Sequence, residues 1–274
     1  MKFDMGRAWN DAVALLSANR HVVLVVSGVF FFLPYLAMVL LLPGQMGDLK
    51  VGENGNPAAA WQAMSAFYGR VWWALLLLAL IQGIGMLGLL ALLTDRTRPT
   101  VGQALGIGAK SFIPYLAAQL LQAILIVLMF VVVVGIGAAT GVKALTALLV
   151  IVAIVGAAYL FTKFSLTIPV IAIERVMNPV RAIIRSWRLT KGNSVRLFSF
   201  YVLLLIVVLV VTLLLGAVSG LVGVAFGATG ASIVGGVVSA LVNMTFVMVF
   251  LAVLAAVHRQ LSGPSAQSLG ETFE

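Results

Sequence analysis

The sequence predicts an all-α membrane protein with six transmembrane helices. Hydrophobic residues make up 62% of the 274 residues and charged residues only 9%, which leaves too little polar surface for a soluble domain. Apolar residues also form six runs of at least 23 residues. At a rise of about 1.5 Å per residue, each run is long enough to cross a hydrocarbon core of about 30 Å. The predicted spans, within a single integral membrane domain of residues 1–274, are 21–43, 71–93, 111–135, 145–171, 195–220 and 233–257.

The distribution of basic residues predicts the orientation of these spans. If the N-terminus is inside, the inner segments hold 13 of the 17 Lys and Arg residues, the outer segments hold three, and Lys163 lies within the fourth span. Because basic residues concentrate in cytoplasmic loops, we expect both termini to be cytoplasmic. The first span is too long for a signal peptide and is expected to be retained. The net charge of +9 is thereby explained without a nucleic-acid partner, for which an exposed basic domain is missing.

Three amphipathic segments precede the odd-numbered spans on the inner side. They are 5–19, 99–109 and 178–191, and each is predicted to form an interfacial helix. Ala12, Ala104 and Ala182 occupy equivalent places in them, which indicates three copies of one unit made of an interfacial helix and two spans. The alternative is that any inner loop before a span tends to be amphipathic. The tail, 262–274, is predicted to be disordered.

The third amphipathic segment is the most informative stretch of the chain. Its apolar residues follow the i, i+3, i+4, i+7 spacing of a helix face and are Val180, Ile183, Ile184 and Trp187. A basic stripe lies beside them. We expect the helix to lie in the membrane interface with Trp187 at headgroup depth. We expect this segment to bind lipid headgroups, and we expect the bound lipids to be anionic. The residues expected to bind them are Arg181, Arg185, Arg188, Trp187 and Lys191. Simple anchoring and a protein-docking surface are the alternatives.

Lys163 and Glu174 are charges within or near the membrane. A lysine at the bilayer centre costs roughly 2.5–3.5 kcal/mol on insertion scales. Pro169 lies between the two residues and is expected to break the helix there. Glu174 can then turn back toward Lys163 in a structural ion pair. Snorkelling of Lys163 to the headgroups and a role for these charges in handling a substrate or proton are the alternatives.

Several other motifs favour structural interpretations. The GxGxxG pattern at 83–88 lies inside a span, and two GxxxG spacings occur at 216–220 and 223–227. We interpret all three as close helix packing rather than nucleotide binding. The polar residues within spans are Gln82, Gln119, Gln122 and Asn243, for which interhelical hydrogen bonds are expected. His21 and His258 are interpreted as isolated at helix ends. The chain has no cysteine, and no set of residues predicts a metal, a cofactor or a catalytic centre.

The stretch 159–193 resembles a known family. The residues that carry the resemblance are Lys163, Pro169, Glu174, Ala182, Ser186, Trp187, Leu189, Thr190 and Gly192. They resemble the signature of the glycerophosphoryl diester phosphodiesterase membrane-domain family and its stand-alone relatives of the YciC type. In that signature arginine is more frequent at the place of Lys163. The chain has no segment long enough for the catalytic barrel found in some members. The resemblance therefore implies a bacterial inner-membrane protein associated with lipid, and not hydrolysis.

These observations lead to one expected function and one alternative. We expect a non-enzymatic inner-membrane protein that binds or organises lipid, or that assists a membrane-protein partner. The alternative is a small transporter or flippase-like carrier of a lipid or amphiphile. A carrier requires a polar cavity near the bilayer midplane, for which the sequence offers the span glutamines, Asn243 and Lys163. An intramembrane enzyme is least supported, because no paired acids or Ser/His/Asp set is present.

Overall fold

The computed structural model describes residues 2–41, 57–94 and 99–263, and within them it contains nine α-helices. The helices are α1 (Met5–Ala18), α2 (Arg20–Ser27), α3 (Leu33–Leu41), α4 (Pro57–Thr94), α5 (Val101–Ala139), α6 (Lys143–Phe164), α7 (Thr167–Ala172), α8 (Pro179–Leu189) and α9 (Ser194–Ser262). Six helical segments are long and apolar enough to span a membrane. The predicted all-α, six-span fold class is confirmed. The predicted disordered tail, apart from residues 262 and 263, lies outside the described residues.

The six segments correspond closely to the predicted spans. They are Arg20–Leu41, Trp61–Thr94, Val101–Ala139, Lys143–Ala172, Ser194–Leu221 and Ser232–Ser262. Two of them are interrupted near a proline. A π-helical turn at Gly28–Phe32 joins α2 to α3, next to Pro34. The break between α6 and α7 falls at Ser165 and Leu166, because Pro169 lacks the N–H that the Ser165 carbonyl would accept in a continuous helix.

The amphipathic segments differ in how they join their spans. Helices α1 and α8 are separate short helices, whereas the segment 99–109 continues without interruption into the third span as α5. The separate helix predicted there is therefore not formed. Residues 101–110 include no proline, and the capping box of Thr100 and Gln103 starts a helix that nothing ends before Ala139. The location of these segments at a membrane surface stays a prediction.

The three segments nevertheless begin alike. Each starts at a residue whose side chain accepts a hydrogen bond from the backbone N–H three positions on; these residues are Asp4, Thr100 and Asn178. Four residues after each cap stands a fully buried alanine, and these alanines are Ala8, Ala104 and Ala182. One turn further, Ala12, Gly108 and Ser186 are buried too. The shared register therefore matches Ala8, not Ala12, with Ala104 and Ala182.

The described residues fall into two compact units. Unit 1 takes those within Met1–Asn19, Leu87–Leu205 and Val249–Glu274, and unit 2 takes those within Arg20–Met86 and Ile206–Met248. The single membrane domain expected from the sequence stays a prediction. Helix α9, 69 residues long, contributes to both units and has one non-helical residue, Gly227, at φ 73°. Only glycine adopts this backbone conformation readily, so Gly227 divides α9 into two membrane-length halves.

Candidate functional site

The candidate site lies in unit 1 and is built around the short helix α8. Along its 11 residues, α8 carries three stripes at i, i+4, i+7 spacing, each displaced from the next by about 100° around the helix. The apolar stripe, Val180, Ile184 and Trp187, is exposed. The basic stripe is Arg181, Arg185 and Arg188. The third stripe, Ala182, Ser186 and Leu189, is buried against α5, α6 and α7.

The buried stripe fixes α8 on the end of α6. Ser186 Oγ donates a buried hydrogen bond of 2.7 Å to the carbonyl oxygen of Lys163, in the last turn of α6, where carbonyls lack intrahelical partners. The neighbouring break is fixed as well, because Tyr201 Oη donates to Ser165 Oγ at 3.1 Å. Helix α8 ends at Leu189 with Thr190 as its C-cap, and Gly192 follows with φ 82°, as the Lys-Gly-Asn sequence predicts.

The Lys163 side chain lies beside two aromatic rings that contact each other. Its Nζ is 5.4 Å from the ring centroid of Tyr159 and 5.2 Å from that of Trp187, and the two rings meet edge to face. Only 3% of Lys163 is exposed. We name Tyr159, Lys163 and Trp187 the Lys163 cage. Two consecutive residues of α8 thus contact Lys163. Ser186 bonds to its backbone carbonyl, and the Trp187 ring contacts its ammonium group.

Glu174 belongs to a second group, which we name the Glu174 cluster: Glu174, Arg185 and His258. Arg185 Nε donates to both carboxylate oxygens at 3.2 and 3.0 Å, and Nη2 donates to Oε1 at 3.2 Å. His258 Nε2 lies 2.9 Å from Oε1. The carboxylate therefore connects the α7–α8 loop to α8 and to the end of α9.

The partners of Glu174 determine its protonation. Burial raises the pKa of the carboxyl group, but hydrogen bonds from His258 and Arg185, together with their positive charges, outweigh burial and lower that pKa from 4.5 to about 2. Glu174 is thus a carboxylate at neutral pH. It acts as a fixed negative charge inside the cluster.

The cluster corrects two interpretations. The predicted ion pair between Lys163 and Glu174 is not formed, because Arg185 and His258 bind the carboxylate while Lys163 lies in its cage. His258 is not isolated, since it is 4% exposed and binds Glu174. Sequence reasoning missed His258 because it is separated from Glu174 by 84 positions. The available signal was that Glu174 is the only acidic residue between Asp95 and Glu271.

The residues predicted to bind headgroups therefore divide into two sets. Arg181, Trp187, Arg188 and Lys191 are exposed, and Arg185 is engaged by Glu174. The exposed cations Arg181 and Arg188 lie beside the apolar stripe of α8, to which Trp187 belongs, and Lys191 follows the end of the helix. An arrangement of this kind suits a lipid surface, with the apolar residues among acyl chains and the cations at phosphate depth.

Contacts within unit 1 bring three predicted inner segments to one end. The Phe3 N–H donates to Asn193 Oδ1 at 2.9 Å, and Arg259 Nη2 lies 2.9 Å from Asp11 Oδ2. With the Glu174–His258 contact, these bonds join the N-terminal arm, the α8 segment and the end of α9. The positive-inside prediction requires these segments to share a side. Which side that is stays a prediction.

Unit 2 contains a cavity of about 370 Å³ between α3 and the two halves of α9. Its polar lining residues are Tyr35, Thr212, Ser219, Ser239 and Asn243. Thr212 and Asn243 stand at nearly equal distances along the chain from Gly227, as expected if the halves run antiparallel. No charged residue lines the cavity within the part of the chain that the structure describes. The cavity therefore offers hydroxyl and amide groups in apolar walls.

The predicted polar residues do not converge on this cavity. Asn243 lines it and also donates to the Phe31 carbonyl at 3.5 Å. Gln119 approaches Tyr115 Oη at 3.5 Å, within α5. The Nε2 atoms of Gln82 and Gln122 are buried without a hydrogen-bond partner among the described residues. The predicted set of Gln82, Gln119, Gln122, Asn243 and Lys163 is thus not a single site.

The glycines of the predicted packing motifs fall into two groups, those with close neighbours and those without. A Cβ at Gly85 would lie 2.5 Å from Phe30 Cβ, and one at Gly88 would lie 3.3 Å from the Ala104 carbonyl oxygen. Close packing explains these two glycines. A Cβ at Gly216 or Gly220 would meet no described atom within 4 Å, so the described residues show no close packing at these two glycines. Gly216 instead lines the unit 2 cavity.

Within the described ranges, no group of three His, Cys, Asp or Glu residues is placed to hold a metal ion. Comparisons with family models, with curated proteins and with solved structures found no match.

Proposed function

We propose that this chain is a non-enzymatic membrane protein that binds anionic lipid at the α8 end of unit 1. The observation that carries the proposal is the division of α8 into an exposed apolar stripe, a basic stripe and a buried stripe. An isolated 11-residue helix is not stable in water. Packing of Ala182, Ser186 and Leu189 therefore holds the helix, and with it the orientation of the lipid-binding face.

The charge on this face sets its lipid preference. Arg181, Arg188 and Lys191 are exposed, and a basic residue near an anionic surface contributes about 1 kcal/mol. Three such residues give roughly 3 kcal/mol at low salt, and less as salt screens them. A surface that combines cations and apolar side chains is suited to binding a lipid without catalysing a reaction on it. Organisation of lipid around a membrane partner is compatible with the same surface.

The test is a lipid competition in detergent. The full-length protein is mixed with equal amounts of phosphatidylglycerol and phosphatidylcholine, and bound lipids are counted by native mass spectrometry. The double variant Arg181→Gln/Arg188→Gln should lose most of the preference for phosphatidylglycerol. A matched control, Arg70→Gln/Lys143→Gln, removes two exposed cations from the predicted outer loops and should keep the preference. Equal preference in wild type and the α8 variant contradicts the proposal.

The proposed location is the cytoplasmic face of a bacterial inner membrane, with both termini inside. Its support is the charge asymmetry of the sequence together with the joining of three basic segments at one end of unit 1. Because the chain has no cysteine, single cysteines report orientation cleanly. An impermeant maleimide applied to intact cells should label a cysteine at Asn54 and spare one at Gln267. The reverse pattern contradicts the orientation.

A second candidate function is transport of a lipid or amphiphile, and the unit 2 cavity favours it. Neutral hydroxyl and amide groups in apolar walls suit a headgroup that travels with its acyl chains. Wild-type protein in liposomes should then accelerate the translocation of a fluorescent phospholipid, measured by dithionite quenching. Ser239→Phe, which fills the cavity, should slow it, whereas Ser199→Phe on an exposed helix face of unit 1 should not. Translocation no faster than in protein-free liposomes excludes this candidate.

A further inference from the structure

We propose that the Lys163 cage is a specific binding site for the phosphate of one anionic phospholipid. The inference rests on the proposed function, because it names the residues and the chemical group through which the α8 end selects its lipid. It goes beyond a general attraction of surface cations. Lys163 binds the phosphate, and the rings of Tyr159 and Trp187 flank the site. Lys191 contributes a second positive charge.

The first step concerns the lysine itself. Lys163 is almost completely covered by protein, since only 3% of it is exposed. Among residues 2–41, 57–94 and 99–263, no carboxylate lies within 4 Å of its Nζ. The nearest acidic residue along the chain, Glu174, is bound by Arg185 and His258. The protein therefore buries this cation and directs its nearest carboxylate elsewhere.

The second step concerns what the rings leave unsatisfied. The faces of Tyr159 and Trp187 stabilise a cation electrostatically. They do not replace hydrogen-bond acceptors, and an ammonium group has three N–H donors. A phosphate oxygen is a strong, charged acceptor for such donors. A phosphate that reached Lys163 past the exposed edges of Tyr159 and Trp187 would complete the surroundings of the lysine.

The third step concerns the neighbouring charge. Lys191 stands two residues beyond the end of α8, the helix that contacts Lys163 through Ser186 and Trp187. Two neighbouring cations are unfavourable in a region of low dielectric unless an anion lies between or beside them. One phosphate can neutralise both. Lys191 is exposed, so an incoming headgroup can reach it.

The fourth step identifies a lipid rather than a free phosphate. Tyr159 and Trp187 are both partly exposed, at 47% and 37%, and Trp187 belongs to the apolar stripe of α8. The same stripe also presents Val180 and Ile184, which are both exposed. A phospholipid bound through its phosphate would lay acyl chains along these side chains. A free phosphate would gain nothing from them.

The experiment measures one lipid at a time. Delipidated full-length protein in a mild detergent is titrated with dioleoylphosphatidylglycerol, and the first bound lipid is followed by native mass spectrometry at low and high salt. Wild type should bind one lipid that persists at high salt. Lys163→Met should weaken this first binding at least tenfold, whereas Lys163→Arg, which keeps the charge, should retain most of it. Lys110→Met, which removes an exposed cation from α5, is the matched control and should bind as wild type does.

The outcomes separate the site from the proposed function. If Lys163→Met binds the first lipid as tightly as wild type, while Arg181→Gln/Arg188→Gln loses its anionic preference, the cage is only structural and the proposed function stands. If neither variant changes lipid binding, both proposals fail. Competition by millimolar inorganic phosphate as effective as that by the lipid overturns the assignment to a lipid.

A second variant keeps the test decisive if Lys163→Met does not fold. Lys191→Gln changes an exposed side chain and should weaken the first binding several-fold with no change in thermal unfolding. Unchanged first binding in Lys191→Gln then overturns the proposal.

Discussion

Helix α8 contacts two charged centres, and they differ in how their charges are compensated. In the Glu174 cluster, one carboxylate receives three hydrogen bonds from Arg185 and lies 2.9 Å from His258. In the Lys163 cage, a buried ammonium group has two aromatic faces and no carboxylate among the described residues. The first centre is complete within the protein, and we propose that a ligand completes the second. On this proposal, the comparison teaches that a compensated charge fixes structure, while an uncompensated one marks a binding site.

Removal of the Glu174 charge should have the largest effect on stability. Glu174→Gln leaves Arg185 and the buried His258 without their carboxylate, and loss of hydrogen bonds to a charged group costs about 2 kcal/mol. The unfolding midpoint of the detergent-solubilised protein should fall clearly, while the first phosphatidylglycerol should still bind to the folded protein. An unchanged midpoint would show that the cluster does not hold α8 in place.

The same pairing should depend on pH in a defined window. The pKa of Glu174 is lowered from 4.5 to about 2 in the folded protein, so the stabilisation is complete above pH 4.5 and is lost as the pH falls toward 2. The difference in unfolding midpoint between wild type and Glu174→Gln should shrink as the pH falls from 4.5 toward about 2. A difference that persists near pH 2 as large as at neutral pH contradicts the assigned pKa.

The hydroxyl group that joins the two sides of α8 should have a smaller effect. Ser186→Ala removes the 2.7 Å bond to the Lys163 carbonyl and should cost about 1 kcal/mol, because a buried acceptor loses its partner. The substitution should also weaken binding of the first lipid, because the same contact holds Trp187 over Lys163. Ser199→Ala is the matched control, since its hydroxyl bonds only within α9. Equal lipid binding in both variants would separate Ser186 from the cage.

The exposed ion pair between Asp11 and Arg259 should have the smallest effect. Their side chains are 27% and 60% exposed, and pairs of this kind contribute about 0–1 kcal/mol. Asp11→Asn should therefore leave the unfolding midpoint nearly unchanged. A loss as large as that of Glu174→Gln would mean that the inner end depends on all of its ion pairs alike, and the distinction between compensated and uncompensated centres would lose its meaning.

Much of the fold was predictable because the hydropathy pattern that defines a membrane span is a local property of the sequence. The six spans follow from apolar run length, and the break near Pro169 follows from its missing N–H. The fusion of 99–109 with the third span was missed because an amphipathic segment and an apolar span form one helix when no breaker separates them. The buried face of α8 had a signal in its small residues, Ala182 and Ser186, which favour close packing in membranes.

The partners of the two charges were less predictable. The rarity of acidic residues shows that Glu174 needs a cation, but several basic residues lie within reach along the chain. Selection of Arg185 and His258 depends on how α8 and the end of α9 pack, which is a long-range property. The Lys163 cage depends on the same packing, since Trp187, which lies over the lysine, directly follows Ser186, which bonds to the Lys163 carbonyl.

A double-mutant cycle on Lys163 and Glu174 tests the separation of the two centres most directly. Lys163→Ala, Glu174→Ala and the combined variant are compared by equilibrium unfolding in detergent, with Arg185→Ala and Glu174→Ala as a second cycle. For residues without shared partners, the effects of two substitutions on the free energy of unfolding add within about 0.5 kcal/mol, whereas for paired residues they do not. We expect the Lys163–Glu174 effects to add and the Arg185–Glu174 effects to be coupled. Coupling well above about 0.5 kcal/mol between Lys163 and Glu174, with additivity between Arg185 and Glu174, would contradict the separation of the two centres.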